Sequence, residues 1–284
     1  MSLKLEKVSY SPSQPGTGLS PVGDISLEIA AGEFVGLMGA SGSGKSSLLA
    51  LFAGLARPDE GSVYVDGTNI NIKAPRGAIM PVSPALLTQN ARCRLFGISL
   101  ERELNLSLKG GDLSKDERKT RVKLWLEKLG FSDEKYSDCS PLCLSEGEKQ
   151  RLALASVMVK ESPVLLLDEP FSGLDSQWKQ NLCQLLAQLN RDGVTVIIAS
   201  NDADVLAEYA GRIIVLERGR LVRDGSAKAV FTDYFELMRH EIPVPKVRML
   251  SQRLRERDVN MPGNIILYEQ FIDRLKIIMW RKEK

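Results

Sequence analysis

The sequence is poor in metal-binding side chains. It has one histidine, His240, and four cysteines, Cys93, Cys139, Cys143 and Cys183, with no CxxC pair. Structural zinc sites gather Cys and His at short, fixed spacings, so a zinc centre is not expected. The cysteines read as reduced thiols of a cytosolic protein. Long apolar runs are also missing. The run at 194–199 is among the longest, against the roughly 20 residues that a membrane-spanning helix needs. Residues 1–6 carry no apolar signal-peptide core. The chain is therefore expected to cross no membrane, and to act at one only by docking onto proteins that do. Charge of one sign is lacking as well. A net charge of +2 gives no global field that would draw the chain to nucleic acid. There is no internal repeat and no heptad run.

What is present is enough apolar material for a real core, 43% of 284 residues. At roughly 150 residues per domain, this length suits one large domain or two smaller ones. Leu3–Tyr10 and Val22–Ile29 alternate apolar and polar residues, as half-buried strands do. Residues 11–18 are rich in Pro, Gly and Ser and predict a loop. Phe34–Met38 is a short apolar run, and after a glycine-rich stretch a helical pattern covers 45–55. From about 91 to 160 charged helix formers dominate, as in 115–129, which predicts a helical subdomain inserted in an α/β chain. Apolar strands return at 164–167, 194–198 and 213–216, separated by helical patterns at 177–189 and 203–210. Buried strands alternating with helices argue for a mostly parallel sheet.

The last part differs again. It carries Pro243 and Pro245, a helical stretch at 246–257, a break at Asn260-Met261-Pro262-Gly263 and a second helical stretch at 267–280. From Pro245 onward there are 10 Lys/Arg and 5 Asp/Glu. That excess suits a membrane surface, an acidic partner or simply a solvated tail. The expected division is 1–235, with the helical subdomain at about 90–160, and a C-terminal extension at 236–284.

Three motifs carry the chemistry. Gly39-Ala40-Ser41-Gly42-Ser43-Gly44-Lys45-Ser46 fits the phosphate-binding pattern GxxxxGK[ST], with a strand before it and a helix after it. Glycines let successive backbone N–H groups curl around phosphates, and the helix N-terminus adds the positive end of its dipole. Gly39, Ser41, Gly42, Ser43, Gly44, Lys45, Ser46 and Ser47 are the expected nucleotide-binding residues, with Lys45 on the β- and γ-phosphates and Ser46 on Mg²⁺. The bland alternative, a glycine-rich turn that happens to match, does not explain strand, loop and helix in that order. The second motif is an apolar strand at 164–167 that ends in Asp168 and Glu169. Asp168 is expected to hold Mg²⁺ and Glu169 to polarise an attacking water. The third is Leu144-Ser145-Glu146-Gly147-Glu148-Lys149-Gln150-Arg151, ahead of a helical stretch at 151–160.

This third motif resembles the signature of ATP-binding cassette (ABC) ATPases, usually LSGGQ. Phe171-Ser172-Gly173-Leu174-Asp175 resembles that family's D-loop, with Asp175 as its acidic residue, and Gln89 resembles the Q-loop glutamine, a ligand to Mg²⁺ and to the attacking water. The resemblance spans about residues 3–231. It implies a P-loop NTPase fold of the ABC-ATPase type with an N-terminal antiparallel β part, an inserted helical subdomain and a small helical extension. It also implies ATP and Mg²⁺ as ligands, and two ATPase domains paired head to tail. Each ATP then lies between one domain's phosphate loop and the other's Leu144, Ser145, Glu146, Gly147 and Glu148.

Finer matches are similar to the ATPases of energy-coupling-factor (ECF) transporters and their cobalt and nickel relatives. They are Gln89-Asn90 with Leu95-Phe96-Gly97-Ile98-Ser99, residues 136–141, Ser9-Tyr10 with Gln14-Pro15-Gly16-Thr17, and the tail with Ile242-Pro243, residues 254–257 and Pro262. The implied role is the ATP-hydrolysing subunit of a vitamin or transition-metal importer. It would sit peripherally on the inner face of the cell membrane, with integral membrane subunits and a second ATPase as partners. The membrane contact would fall at residues 89–108.

The sequence departs from the family at several points. Asn201 stands where the switch histidine is usual, and an amide donates a hydrogen bond without carrying charge; Asn201 also suits the cap of the next helix. Glu146 replaces a glycine and Glu148 the usual glutamine. Acids suit a helix N-terminus but repel a triphosphate. By register the adenine-stacking aromatic falls at Pro12, with Tyr10 two residues away as the substitute; Tyr10 is equally an ordinary strand residue. These departures imply unequal ATP sites and favour a heterodimer, because a homodimer would carry each departure twice. Two other readings stand beside the importer: an ATP-binding subunit that hardly hydrolyses, and a soluble ABC ATPase acting on nucleic acid or ribosomes. The balanced charge and the lack of a second cassette oppose the last. The cargo is not readable.

Overall fold

The computed structural model describes residues 1–12, 19–71, 83–109, 113–136 and 139–282. The sequence matches at 14–17 and at 137–138 lie outside the described residues. The chain opens with strands β1 (Leu3–Tyr10), β2 (Val22–Ile29) and β3 (Phe34–Met38), then helix α1 (Lys45–Phe52), β4 (Glu60–Val65), β5 (Thr68–Asn69) and β6 (Ala85–Leu87). The helical insert brings α2 (Leu100–Ser107), α3 (Lys115–Lys128) and α4 (Glu146–Met158). The α/β pattern resumes with β7 (Val164–Asp168), α5 (Ser176–Arg191), β8 (Thr195–Ala199), α6 (Ala203–Tyr209), β9 (Arg212–Glu217) and β10 (Arg220–Ser226). Helices α7 (Ala227–Thr232), α8 (Tyr234–Arg239), α9 (Lys246–Arg255) and α10 (Tyr268–Lys282) close the chain.

Among the described residues the strands make two sheets. One is antiparallel, in the order β2-β1-β4-β5. The other runs β10-β9-β3-β8-β7-β6 and is parallel except for the β9–β10 hairpin. Strands β3, β7 and β8 are buried at every position, which is why they read as unbroken apolar runs. Their side chains still alternate. Val35, Leu37, Leu166 and Ile197 pack with α1 and the antiparallel sheet, whereas Met38, Leu165, Leu167, Val196 and Ile198 pack with the helices. The parallel sheet is thus the middle layer, and its period-two alternation feeds two cores. Ile242, Val244 and Ile266 join the larger core, while Val247, Met261, Ile265 and Phe271 form a small cluster of their own between α9 and α10.

One helix start and one helix cap differ from expectation. Helix α4 begins at Glu146, inside the signature, because Ser145 and Glu148 form a reciprocal capping box. Helix α6 is capped by Asp202, whose carboxylate accepts from Val205 N–H at 3.2 Å. Asn201 is therefore free of the capping role and stays exposed at the end of β8. The parallel register aligns Leu37 with Ala199 and Ala199 with Asp168. The loops after β3, β7 and β8 consequently emerge side by side at the C-terminal edge of the sheet, where α/β proteins bind ligands.

Candidate nucleotide site

A cleft of about 440 Å³ opens at that edge. The loop from β3 to α1 forms one wall. Gly39 and Gly42 hold φ of 150° and 79°, and Gly44, the N-cap of α1, holds 103°. A Cβ on Gly39 would strike the carbonyl of Leu216 and the Ser43 hydroxyl. No side chain caps α1, and no acid lies in its first turn. Its first N–H groups thus face the cleft end without a competing anion. The Ser43 hydroxyl is buried and has no hydrogen-bond partner among the described residues.

Lys45 is 8% exposed. Its ammonium donates to the carbonyls of Gly39 at 2.6 Å and Ala40 at 3.2 Å. Burial lowers its pKa, and the carboxylates of Glu169 and Asp168 oppose that shift. The Ser46 hydroxyl donates to Asp168 at 2.6 Å. Burial pushes the Asp168 carboxyl up against the opposing pull of Ser46 and Lys45. Glu169 is also pushed up, first by burial, with Lys45 and the Ser200 hydroxyl pulling the other way. Glu169 sits at φ 47°, a left-handed conformation uncommon for a non-glycine residue. Its N–H donates to the Ala199 carbonyl at 2.9 Å, which pins the turn after β7 to the end of β8. This turn aims Glu169 into the cleft beside Asp168, although the two are neighbours in sequence.

The signature is built differently. Leu144 is buried in the large core, and Ser145 and Glu146 are exposed. The Ser145 hydroxyl and N–H both donate to the Glu148 carboxylate, at 2.7 and 2.9 Å. Tyr136 donates its hydroxyl to the other oxygen of Glu148 at 2.6 Å. These hydrogen bonds, Tyr136 first and Ser145 next, hold the Glu148 pKa down to about 2. Glu146 pairs with Lys149 at 3.1 Å and with Arg92 at 3.7 Å. Gln150 is buried and donates to the Pro170 carbonyl at 3.0 Å, tying α4 to the turn after Glu169. Arg151 lies between the rings of Phe131 and Trp178, with centroids at 4.9 and 4.1 Å.

Comparison with known proteins agrees with this geometry. Residues 22–172 match the family model described as ABC transporter. The chain is 34% identical to the energy-coupling factor transporter ATP-binding protein EcfA2 of Clostridium perfringens over 273 residues, 95% of each chain. It is also 34% identical to the EcfA2 of Symbiobacterium thermophilum, over 98% of this chain and 97% of that one. The chain belongs to the ABC transporter ATPases of the energy-coupling factor branch. Among solved structures, cbiO1 from Clostridium perfringens, part of the ABC transporter complex cbiONQ, aligns with a TM-score of 0.69 at 30% identity, over 89% of this chain and 96% of that one. The dimeric, post-hydrolysis ATP-binding cassette MJ0796, bound to ADP and Pi, also aligns at 0.69 and 30%, over 79% and 98%.

In this ABC ATPase the cleft gathers Ser41, Gly42, Ser43, Gly44, Lys45, Ser46, Ser47, Gln89, Asp168, Glu169 and Asn201 along its lining. Gly39 lies just behind, as the acceptor for Lys45. Ser47 is fully buried, and its hydroxyl is engaged in both directions by the Ser20 backbone, so it anchors the loop. Tyr10 packs against the antiparallel-sheet core and is not part of the lining. The signature residues and Asp175 stay outside the lining too. Asp175 caps α5 by accepting from Trp178 N–H at 2.8 Å. Residues that sequence reasoning missed include Ser20, Asn90, Arg92 and Ser172 in the lining. Ser200 was missed as well; its hydroxyl links Glu169 at 3.3 Å to the Asp202 N–H at 3.2 Å. The capping-box spacing at 145–148 was a visible signal; the others have none in sequence. Among the described residues no three His, Cys, Asp or Glu cluster as a metal site, and no helix is long and apolar enough to cross a membrane.

Proposed function

We propose that this chain is the ATP-hydrolysing subunit that energises a membrane importer of the energy-coupling-factor type. The single observation that carries the reading is the convergence of Lys45, Ser46, Asp168 and Glu169 in one cleft at the C-terminal edge of the parallel sheet. ATP is cradled by the backbone of 39–47, with Lys45 on the β- and γ-phosphates. Partly buried and 2.6 Å apart, the Ser46 hydroxyl and the Asp168 carboxylate are hard oxygen donors that fit Mg²⁺, with Gln89 in the same lining. Mg²⁺ held there would supply neutralisation of the phosphate charge. Glu169, its pKa raised by burial, orients the attacking water and takes its proton. The water oxygen bonds to the γ-phosphorus as the bond to the β–γ bridging oxygen breaks, and ADP leaves with that electron pair. Asn201 faces the same space and offers a neutral amide donor.

The signature residues lie outside this cleft's lining, which supports head-to-tail pairing with a second ATPase. ATP then joins two surfaces and hydrolysis releases them, a population shift between closed and open pairs. The departures at Asn201 and Glu146 favour a heterodimer. They also favour a second reading, in which this chain's own site binds ATP and the partner does most of the hydrolysis. Between Gln89 and α2, Phe96 is 79% and Ile98 is 69% exposed. That apolar pair suits contact with an integral membrane subunit and supports a peripheral position on the cytoplasmic face. The cargo, a vitamin or a transition-metal ion, would be bound by a separate membrane protein. The test is Glu169→Gln in the assembled complex. A fall in ATPase of about 100-fold or more is expected for loss of the water-activating carboxylate. An unchanged rate would assign hydrolysis to the partner's site.

A further inference from the structure

Glu146 is the side chain that least suits a surface built to receive a triphosphate. It occupies the first turn of α4, with 64% of its side chain exposed. Two cations answer it, and they are not equivalent. Lys149 lies on the same helix, an i,i+3 neighbour at 3.1 Å. Arg92 reaches across from the short turn at Ala91–Arg94, just after Gln89, to 3.7 Å. Arg92 also lines the nucleotide cleft. A Cβ on Gly173 would lie 3.0 Å from its Nη1, so the guanidinium rests over the turn that leads to Asp175. One side chain thus touches the segment after Gln89, the signature and the turn before Asp175.

We propose that Arg92 is a positioning residue that neutralises Glu146 and so lets this chain's signature receive the γ-phosphate of an ATP held by the paired ATPase. The inference rests on the proposed function. The signature normally presents a glycine at this position, by resemblance, and no counter-charge is needed there. Here a carboxylate stands at the mouth of the surface, and like charges repel across a partly desolvated gap. Lys149 meets Oε1 of the carboxylate, whereas Arg92, which also lines the nucleotide cleft, meets Oε2. Its guanidinium is planar, always charged and weakly hydrated, which suits an interface better than an ammonium does.

The experiment is steady-state ATPase of the complex purified with its partners, read as kcat and KM at two ionic strengths. Arg92→Gln is expected to raise the KM for ATP about tenfold, with a smaller change in kcat, because one unscreened charge is worth roughly that in affinity. Arg92→Lys is expected to restore most of the loss, and high salt to narrow the gap. In a Glu146→Gly background, Arg92→Gln is expected to shift KM by about twofold or less, since the partner charge is gone. Glu146 is exposed and Arg92 is partly so, and both lie outside the packed cores, so these variants are expected to fold. An equal Arg92→Gln effect with and without Glu146 would overturn the proposal, and so would failure of Arg92→Lys to rescue. Ser145→Ala tests the underlying reading separately. If it leaves kcat and KM unmoved, the signature faces no nucleotide and both readings fall. If it impairs turnover while Arg92 and Glu146 behave additively, only the assignment of Arg92 falls.

Discussion

Lys45 and Asp168 are 8% and 5% exposed, whereas Glu146 keeps 64% of its side chain in solvent. The cleft and the signature therefore hold their charges in opposite ways. In the cleft, burial is the largest influence on Lys45, Asp168 and Glu169 alike, and the ammonium and the two carboxylates rely on one another to stay ionised, while Asp168 pushes Glu169 the other way. Aligned strand ends fix that geometry. In the signature, charges are placed by local devices: a capping box, an i,i+3 pair and one long-range arginine. A buried constellation tolerates little change, because an unpaired buried charge is costly. An exposed one is completed only by its partner, so single substitutions there cost the isolated chain little. Glu146 falls in the second region.

The comparison is sharpened most by Lys45→Ala set against Glu146→Gln, both read by titrating the isolated chain with ATP. Loss of Lys45 removes charge-assisted contacts worth about 3 kcal/mol, so affinity should fall roughly 100-fold. Glu146→Gln should leave the isolated chain's affinity unchanged within about twofold, because its surface acts on the other ATP. Comparable losses would mean that the two regions serve one nucleotide within a single chain.

The two regions also differed in legibility. Strands β3, β7 and β8 were readable because burial on both faces demands unbroken apolar runs, and the phosphate loop because its glycines answer a backbone requirement. The start of α4 was misplaced because residues 144–151 are too polar for apolar periodicity to mark a helix. The Ser145–Glu148 spacing held the missing signal, since it is a capping box. Strand β10 was not anticipated. It is an exposed edge with a register shift between Leu221 and Arg223, so its alternation is broken. Ser20, Arg92 and Ser200 act through contacts with residues far away in the sequence, and no local pattern encodes those. Asn201 was recognised as a departure, yet its expected capping role passed to Asp202, a better acceptor one residue on.

Glu148 offers a smaller effect that tests whether the signature's order is local. Its folded pKa of about 2 lies below the ordinary 4.5. The stabilisation it provides is therefore fully present above pH 4.5 and is lost as pH falls towards 2. Thermal unfolding of the isolated chain should show Glu148→Gln melting a few degrees lower at pH 7. That gap should close on acidification through this window. A gap that persisted at pH 2 would point to lost packing rather than to the ionised carboxylate held by Tyr136 and Ser145.

The smallest effect concerns Asn201, the one departure on the cleft side. Its side chain is exposed and lines the cleft without capping α6. An amide already donates, so Asn201→His adds chiefly the option of positive charge. Charge-assisted donation improves on neutral donation by roughly 0.5 kcal/mol in a partly open site, about a twofold rise in turnover at most. Imidazole titrates near pH 6.5. The gain in ATPase of the assembled complex should therefore appear at pH 6 and vanish by pH 8, while the parent shows no such step. A rise without pH dependence would credit the shape of the imidazole and leave its charge no part. A fall would mean that the Asn201 amide is itself a positioned donor. In that case the cleft, too, has been retuned around a substitution, and the contrast with the signature would be one of degree.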